Sequence, residues 1–237
     1  MASSRSSGRG RPPRLTDAEA TAARKRAVAD AAAAIVRPGM RVGLGTGTTA
    51  AQLIEALAER RLAGLECVAT SPASEKHARE LGLDVRDPDE VGELDVAIDG
   101  ADQVDPAGWL IKGGGAAHTR EKIVARAARR FVVIVSAEKL VRELTPPIPL
   151  ELVRFGLHQT LRELQPARVR DGVPLSPDGG VIADYLGPVG EPHELAARLS
   201  AAPGVVEHGL FCPELVSEIL VAGEHGVERR AGGRCDI

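Results

Sequence analysis

The segments LDVAIDGADQVD, residues 94–105, and KGGGAAHTRE, residues 112–121, decide how this chain folds and where its chemistry lies. The apolar run at the start of the first segment predicts a buried strand that ends at Asp99. The triple glycine Gly113–Gly115 leads into a predicted helix with Glu121 in its first turn. Acidic side chains and a lysine gathered in this way are what proton transfer on a small anionic substrate needs. We therefore expect the rest of the chain to hold these groups in place.

Around these segments, short apolar runs alternate with helical patterns. A first helix is predicted from Thr16 to Arg37, and Thr16 with Glu19 matches a capping box. Alternation of this kind indicates βαβ units in an α/β fold with a doubly wound, mainly parallel sheet. The predicted strands are Arg41–Gly45, Glu66–Ser71, Leu83–Arg86, Leu94–Asp99 and Phe131–Ser136, with helices at Ala50–Leu62 and Pro72–Leu81.

A second, smaller domain is predicted after the main sheet. Thr145–Pro149 is interpreted as a hinge, and the short elements that follow have the order βαββαβ, which suits a ferredoxin-like α+β unit. Val216–Ala222 is predicted to return to the main sheet, and Arg229–Ile237 to be loose. The predicted division is a disordered basic tail at 1–15, a catalytic domain of 16–145 plus 212–237, and a small domain at 146–211.

The segment GLGTGTT, residues 43–49, is a candidate phosphate loop. It lies between a strand and a helix, where backbone N–H groups and hydroxyls are offered to an anion. It has neither the full GxGxxG spacing nor the GKS or GKT ending of a P-loop, so a tight turn without a ligand remains an alternative. Because ligands bind at the carboxyl ends of parallel strands, we expect this loop, Asp99, Asp102 and Lys139 at one edge of the sheet.

Glu121 is the candidate base. On a helical wheel it falls in the apolar stripe with Val124, Ala125 and Ala128, whereas Lys122 falls on the opposite, polar arc. Burial there would raise the pKa of Glu121, and the helix N-terminus would lower it. A capping acid is the alternative interpretation, and Arg120 on the same side is a candidate partner for a carboxylate.

Composition argues against several other classes of function. The net charge of −3 favours neither a nucleic-acid nor a membrane partner, and no apolar run is long enough to span a bilayer. Cys67, Cys212 and Cys235 form no CxxC pair, so a reduced, cytoplasmic setting is expected. Asp99 and Asp102 are also ordinary turn residues, and with only His118 nearby no metal is expected. The six histidines form no HxH or HxxxH pair and are interpreted as surface or capping residues.

Six motifs in order along the chain resemble the type A family of ribose-5-phosphate isomerases, from about Lys25 onward. They are GLGTGTT at 43–49, DGADQVD at 99–105, KGGGAAHTREKIVA at 112–125, SAEKLV at 136–141, PIPLELV at 147–153 and PGVVEHGLF at 203–211. The resemblance implies a Rossmann-like sheet with a small α+β domain, and a homo-oligomer, either dimer or tetramer. It also implies the interconversion of ribose 5-phosphate and ribulose 5-phosphate in the pentose phosphate pathway, without cofactor or metal.

The same resemblance assigns roles to individual residues. Glu121 resembles the family's base, which moves a proton between C2 and C1 through an enediolate. Asp99 and Lys112 resemble the groups that help open the sugar ring and stabilise the oxyanion, with Asp102 beside them. Lys25 and Lys139 resemble two lysines at the phosphate end of the substrate. The remaining implied substrate-binding residues are Thr46, Gly47, Thr48, Thr49, Gly100, Ala101, Gly113, Gly114 and Gly115.

Three departures from the family pattern and two rival functions stay open. Gln103 stands where a glutamate is usual, and His118 where an apolar residue is common. The segment 180–190 is also less regular than the family pattern. The rivals are another sugar-phosphate enzyme, such as an amino-sugar-phosphate deaminase, and a sugar-phosphate-sensing regulator. The basic tail of about 15 residues is too short for the helix-turn-helix that such a regulator would need.

Overall fold

A computed structural model of the protein describes residues 16–234, so the predicted tail at 1–15 and the last three residues lie outside the described part. The helices are α1 Asp17–Ala33, α2 Thr48–Arg60, α3 Pro72–Glu80, α4 Pro88–Val91, α5 His118–Ala127, α6 Leu157–Glu163 and α7 Pro192–Ala201. The strands are β1 Arg41–Leu44, β2 Glu66–Ala69, β3 Leu94–Asp99, β4 Gln103–Val104, β5 Leu110–Ile111, β6 Ala128–Ser136, β7 Ile148–Leu152, β8 Ala167–Val169, β9 Val181–Tyr185, β10 Val205–His208, β11 Leu210–Phe211, β12 Glu218–Gly223 and β13 Gly226–Ala231.

The main sheet has six strands in the order β13-β12-β6-β3-β1-β2. Neighbouring strands are parallel except for β13, which pairs antiparallel with β12 at one edge. The chain runs outward from β1 to β2 and then crosses to the other side of β1 to form β3. That reversal is a topological switch point, which leaves a crevice at the carboxyl ends of β1 and β3. The predicted mainly parallel, doubly wound α/β sheet is confirmed.

Helices cover both faces of the main sheet. On one face α1 and α2 pack against it, and Leu53, Ile54 and Leu57 of α2 are fully buried at the predicted helical spacing. The capping box of Thr16 and Glu19 is present at the start of α1, which ends at Ala33, earlier than predicted. On the other face α5 packs against β3 and β6. The helix that carries Glu121 is therefore held directly over the strand that carries Asp99.

A second sheet has the order β10-β7-β9-β8 and is antiparallel throughout. Numbered within their own unit, its strands follow the order 4-1-3-2, which matches the predicted ferredoxin-like βαββαβ unit. Its core includes Ile148, Leu150, Leu195 and Leu199. The division into two domains stays a prediction.

Three expectations for the fold need correction. The strand predicted at Leu83–Arg86 is wrong: that segment makes a single parallel bridge, from Val85 to Cys67, between the turn at Gly82 and the helix that begins at Pro88. The final residues are not all loose, because β13 pairs with β12 as far as Ala231. The predicted hinge is also too long, because its last two residues, from Ile148, already belong to β7 and are buried.

A third sheet was not anticipated. It contains β4, β5 and β11, each only two residues long, in the order β11-β5-β4. Strands this short are too brief to show alternating burial in a sequence. Asp102 lies just before β4 and Lys112 just after β5, so this small sheet fixes two of the candidate site residues.

Candidate active site

The candidate site lies at the switch point, where β1 and β3 end side by side. Gly45 follows β1, and a Cβ atom at this position would overlap the Asp99 carboxylate. Asp99 Oδ1 accepts hydrogen bonds from the N–H groups of Thr46, at 3.0 Å, and Gly100, at 2.7 Å. The glycine therefore lets the acid at the end of β3 brace the loop that follows β1.

A buried cluster of three charged side chains forms the centre of the site. Lys112 Nζ donates to Asp99 Oδ2 at 2.9 Å and to the carbonyl of Gly100 at 2.6 Å, and it lies 3.1 Å from Glu121 Oε2. The side chains of Lys112, Asp99 and Glu121 are only 3%, 5% and 4% exposed. The ammonium also lies 5.4 Å from the centroid of the Phe211 ring. The buried Lys112 ammonium thus forms ion pairs with two buried carboxylates, those of Asp99 and Glu121.

This arrangement shifts the pKa of each group. Burial raises the pKa of Glu121 to about 7; Lys112 opposes the rise and Asp99 adds to it. Burial alone would lower the pKa of Lys112, but Asp99 and Glu121 outweigh it and raise that pKa. Burial also raises the pKa of Asp99 against the opposing effect of Lys112 and two N–H donors. With a pKa near 7, Glu121 can take up and release a proton near neutral pH.

Glu121 is held by an ion pair and also lines the cavity. Its Oε2 atom is buried and lies 3.1 Å from Lys112 Nζ. The residue is nevertheless part of the cavity lining, and its pKa is raised to about 7. A buried carboxyl group with a shifted pKa on a cavity wall has the environment expected of a candidate base.

The glycine loop, Gly113–Gly115, forms one wall of the site. Gly114 N–H donates to Asp102 Oδ2 at 2.8 Å, and Asp102 N–H donates to the carbonyl of Ile111 at 2.8 Å. A Cβ at Gly114 would lie only 2.9 Å from Asp102 Oδ1. Gly113 has a φ of +101°, a value that favours glycine. The bare backbone thus allows Asp102 and Lys112 to lie on the same cavity.

The N-terminus of α2 forms another part of the cavity wall. The helix begins at Thr48, two residues earlier than predicted, with Gly47 as its N-cap, and among the described residues no side chain caps it. Its first N–H groups are therefore available to an anion. Lys25 Nζ donates to Thr48 Oγ1 at 2.9 Å, and the Thr46 hydroxyl bonds to that of Thr70 at 2.8 Å. A cationic side chain thus reinforces a helix N-terminus that suits a phosphate.

These groups surround a cavity of about 160 Å³. Lys139, in the turn after β6, lines it as well. Asp99 does not line it, and instead supports Lys112 from behind. Ile134, Val135 and Ser136 at the end of β6 were not anticipated; their position after a predicted parallel strand was the available signal. The predicted residues on the wall are Lys25, Thr46, Gly47, Thr48, Thr49, Gly100, Ala101, Asp102, Lys112, Gly113, Gly114, Gly115, Glu121 and Lys139.

A larger groove of about 710 Å³ lies on the other side of α5, lined in part by Ile123, Val153 and the highly exposed Phe155. We assign the chemistry to the smaller cavity, because that cavity brings together the buried ammonium and Glu121, whose pKa is shifted.

The polar arc predicted for the helix is partly wrong. Glu121 is buried as expected, but Lys122 is buried too, with its Nζ 2.7 Å from Glu207 Oε1 and 2.7 Å from the carbonyl of His208. The wheel missed this because α5 also packs against β10 of the second sheet, which covers the side of the helix that carries Lys122. Ile123 and Arg126 stay exposed. Arg120 pairs with Asp178 through two hydrogen bonds of 2.7 Å, and not with Glu121.

Two histidines are in the core, contrary to expectation. Burial lowers the pKa of His118 to about 4 and that of His208 to about 3, so both are neutral at physiological pH. His118 therefore fills a position where the family usually has an apolar residue without adding a charge. Gln103, a second departure, fastens the segment before β7: its side chain accepts from Thr145 N–H at 2.9 Å and donates to Thr145 C=O at 2.8 Å.

Residues 16–234 contain no group of three or more His, Cys, Asp or Glu side chains placed to hold a metal ion. In the same range no helix is both long and apolar enough to cross a membrane.

Comparison with known proteins identifies the family. Residues 66–226 match the family model for ribose 5-phosphate isomerase A, also called phosphoriboisomerase A. This chain belongs to that family. Ribose-5-phosphate isomerase A of Chloroflexus aurantiacus is 45% identical over 230 residues, which cover 91% of this chain and 96% of the relative.

Solved structures agree with this assignment. Ribose 5-phosphate isomerase A from Neisseria gonorrhoeae superimposes with a TM-score of 0.85 at 32% identity, covering 89% of this chain and 97% of that one. A D-ribose-5-phosphate isomerase in complex with phospho-erythronic acid superimposes with a TM-score of 0.84 at 32% identity, covering 88% of this chain and 98% of that one.

The raised pKa of Glu121 predicts a pH dependence. With Glu121 as the candidate base, which accepts a proton only as the carboxylate, kcat/KM should rise with pH along an acid limb with its midpoint near 7. The negative charge of Asp102 contributes to the rise in the pKa of Glu121. Asp102→Asn should therefore move this midpoint to lower pH, whatever it does to the maximal rate. Rates measured from pH 5 to 9 test this, and a midpoint that stays in place or moves upward contradicts it.

Proposed function

We propose that this chain interconverts ribose 5-phosphate and ribulose 5-phosphate through an enediolate, with Glu121 as the base. Aldose–ketose isomerase activity follows from the family membership. The observation that supports the mechanism best is the buried Glu121 carboxylate, which has a pKa near 7, pairs with the Lys112 ammonium and lines the same cavity as that lysine.

The proton transfer needs one base that serves two adjacent carbons. In the proposed mechanism, the Glu121 carboxylate removes the proton from C2 of the open-chain aldose, which leaves the electron pair in an enediolate with negative charge on O1. The hydroxyl proton then passes from O2 to O1, and the Glu121 carboxyl group returns its proton to C1 as the C2 carbonyl forms. A base with a pKa near 7 suits both proton transfers, the removal from C2 and the return to C1, because it accepts and releases a proton at similar free-energy cost near neutral pH. Burial provides that pKa without a second base.

Negative charge develops on the oxygens of C1 and C2 in the enediolate. Lys112 is the proposed stabiliser, because its ammonium lines the cavity and is already held by Asp99 and the Gly100 carbonyl. A donor that is fixed before the reaction needs little rearrangement as charge appears. Asp99 acts through Lys112 in this proposal, since it lies behind the lysine and off the cavity wall. Asp102, on the wall beside Lys112, is the carboxylate placed to help open the sugar ring.

The phosphate of the substrate is proposed to bind at the N-terminus of α2. Thr48 and Thr49 offer N–H groups and hydroxyls there, and Lys25 and Lys139 supply positive charge. Holding the phosphate at this end orients C1 and C2 toward Glu121, and orientation of this kind contributes strongly to rate. Phospho-erythronic acid, which a related isomerase binds, has a carboxylate that resembles an enediolate and should compete with the substrate.

The direct test measures ribulose 5-phosphate formed from ribose 5-phosphate in the presence of EDTA. We expect full activity with the chelator, because the proposed proton shuttle uses only side chains of this chain. Ammonia release from glucosamine 6-phosphate without ribose 5-phosphate turnover would instead indicate the deaminase. Loss of turnover in EDTA would contradict the cofactor-free mechanism.

Two further expectations accompany this function. A homo-oligomer, either dimer or tetramer, is proposed from the family resemblance. A cytoplasmic location is proposed from the cysteines, of which Cys67 and Cys212 are free thiols in the described chain.

A further inference from the structure

A side chain from the second sheet reaches the glycine loop. Arg170 follows β8, and its Nη1 donates to the carbonyl of Gly113 at 3.0 Å and to that of Gly114 at 3.1 Å. The loop is therefore held from outside the cavity by a residue far along the chain.

Arg170 is itself held in a fixed orientation. Its Nε lies 2.9 Å from Asp184 Oδ2 and its Nη2 lies 2.6 Å from Asp184 Oδ1, a two-pronged pair on β9. The two side chains are 17% and 12% exposed. Paired arginine–carboxylate contacts of this geometry fix direction as well as charge, and a lysine cannot reproduce them.

The direction of these carbonyls determines where Asp102 lies. In a trans peptide the C=O and the following N–H point in opposite directions. With the Gly113 carbonyl held by Arg170, the Gly114 N–H points to the other side, where it donates to Asp102 Oδ2 at 2.8 Å. Glycine has the greatest backbone freedom of any residue, so this orientation needs an external restraint.

We propose that Arg170, anchored by Asp184, is a positioning residue for the isomerisation, which fixes the glycine loop and through it Asp102. The inference rests on the proposed function. Arg170 does not line the cavity, so its effect on the reaction passes through the loop. The side-chain hydrogen bonds of Arg170 go to the glycine loop and to Asp184, and not to the groups proposed to bind phosphate at the N-terminus of α2.

The test compares Arg170→Met, Arg170→Lys and Asp184→Asn with Arg198→Met. Arg198 is the matched control, because it contacts Tyr185 of the same sheet, 2.8 Å from Nη2 to the hydroxyl, and does not reach the loop. We expect Arg170→Met to lower kcat by about 10- to 100-fold with little change in KM, since small misplacements of reacting groups cost about that much. Arg170→Lys and Asp184→Asn should fall between wild type and Arg170→Met.

Three readouts separate positioning from general stability. Added guanidinium ion at concentrations far below denaturing should restore part of the lost kcat of Arg170→Ala, but not the small loss of Arg198→Ala. The acid limb of kcat/KM should move to lower pH in Arg170→Met as Asp102 leaves its place. Hydrogen exchange of the Gly114 amide should become faster in that variant, a measurement that needs no turnover.

The outcomes are distinct. If the wild-type chain turns over ribose 5-phosphate but Arg170→Met matches Arg198→Met in kcat, in the acid limb and in Gly114 exchange, the positioning role is overturned and the function stands. If the wild type is inactive on ribose 5-phosphate, the proposed function fails. If Arg170→Met does not fold, Asp184→Asn takes its place, because it keeps the arginine and removes only the carboxylate that anchors it. The positioning role is then tested with the same three readouts, kcat, the acid limb and Gly114 exchange, on Asp184→Asn.

Discussion

Glu121→Gln is expected to lower kcat by about 10²- to 10⁴-fold, the range that a positioned base contributes. Glutamine keeps the shape of the side chain but cannot take up the C2 proton. The variant should still bind phospho-erythronic acid, because the phosphate-binding site proposed at the N-terminus of α2 does not include Glu121.

The variant should also be as stable as the wild type or more so above pH 7. The folded-state pKa of Glu121 is raised to about 7, above its ordinary value, so its contribution to stability is complete at low pH and declines as pH rises through 7. Glutamine carries no charge in either state and avoids that decline. Thermal unfolding at pH 6 and pH 8 measures this difference.

Glu163→Gln is the matched control for this experiment. Glu163 is an exposed glutamate at the end of α6 and far from the cavity, so rate and stability should not change. If Glu121→Gln retains kcat within tenfold of wild type, the base is another group.

Lys112→Met should have the largest combined effect on activity and stability. It removes the ammonium that serves two buried carboxylates, and loss of one partner from a buried ion pair costs ~3–5 kcal/mol. The enediolate would also lose its proposed cationic donor, so we expect no measurable turnover. Urea unfolding and initial rates test the two effects separately.

The loss of stability should depend on pH. Without the ammonium, the folded-state pKa values of Asp99 and Glu121 rise further, because burial is then unopposed. Carboxyl groups with raised pKa values stabilise the fold fully at low pH and lose that contribution as pH rises through the folded pKa. The loss of unfolding free energy caused by Lys112→Met should therefore be small near pH 4 and large at pH 8.

Two further variants make this result interpretable. Lys76→Met replaces a lysine that is 77% exposed on α3 and should change neither stability nor rate. Asp99→Asn combined with Lys112→Met removes both charges of the pair, so it should regain part of the stability but none of the activity. An equal loss of stability at pH 5 and pH 8 for Lys112→Met would contradict the proposed electrostatic role.

The main sheet was predictable because its signals are local. Apolar runs such as the one that ends at Asp99 alternate with helical patterns, and the rule that ligands bind at strand carboxyl ends places the loops together. The burial of Glu121 followed from helical spacing alone. For the strands and for Glu121 alike, the pattern of apolar residues within a short stretch of sequence is enough to predict the burial.

The missed features depend on contacts between distant segments. Lys122 and His118 are buried because the second sheet covers α5, a fact that no helical wheel contains. The three-stranded sheet is made of two-residue strands, and one of them, β11, lies about 100 residues further along the chain than β4 and β5. The sequence does not distinguish the positions of Asp99 and Lys112, because both lie in equally clear motifs. Only the three-dimensional structure shows that Lys112 lines the cavity and that Asp99 supports it from outside the lining.

The pairing of the glycine loop with later strands has a consequence for synthesis of the protein. All of the proposed substrate-contacting residues, Lys25 to Lys139, emerge from the ribosome before Arg170 and Asp184. The carbonyl of Gly209, which accepts the N–H of Lys112 at 2.9 Å, emerges later still. A nascent chain that already carries every such group therefore lacks the contacts that hold the glycine loop, and we expect it to become active only after the segment that contains Gly209 has emerged and folded.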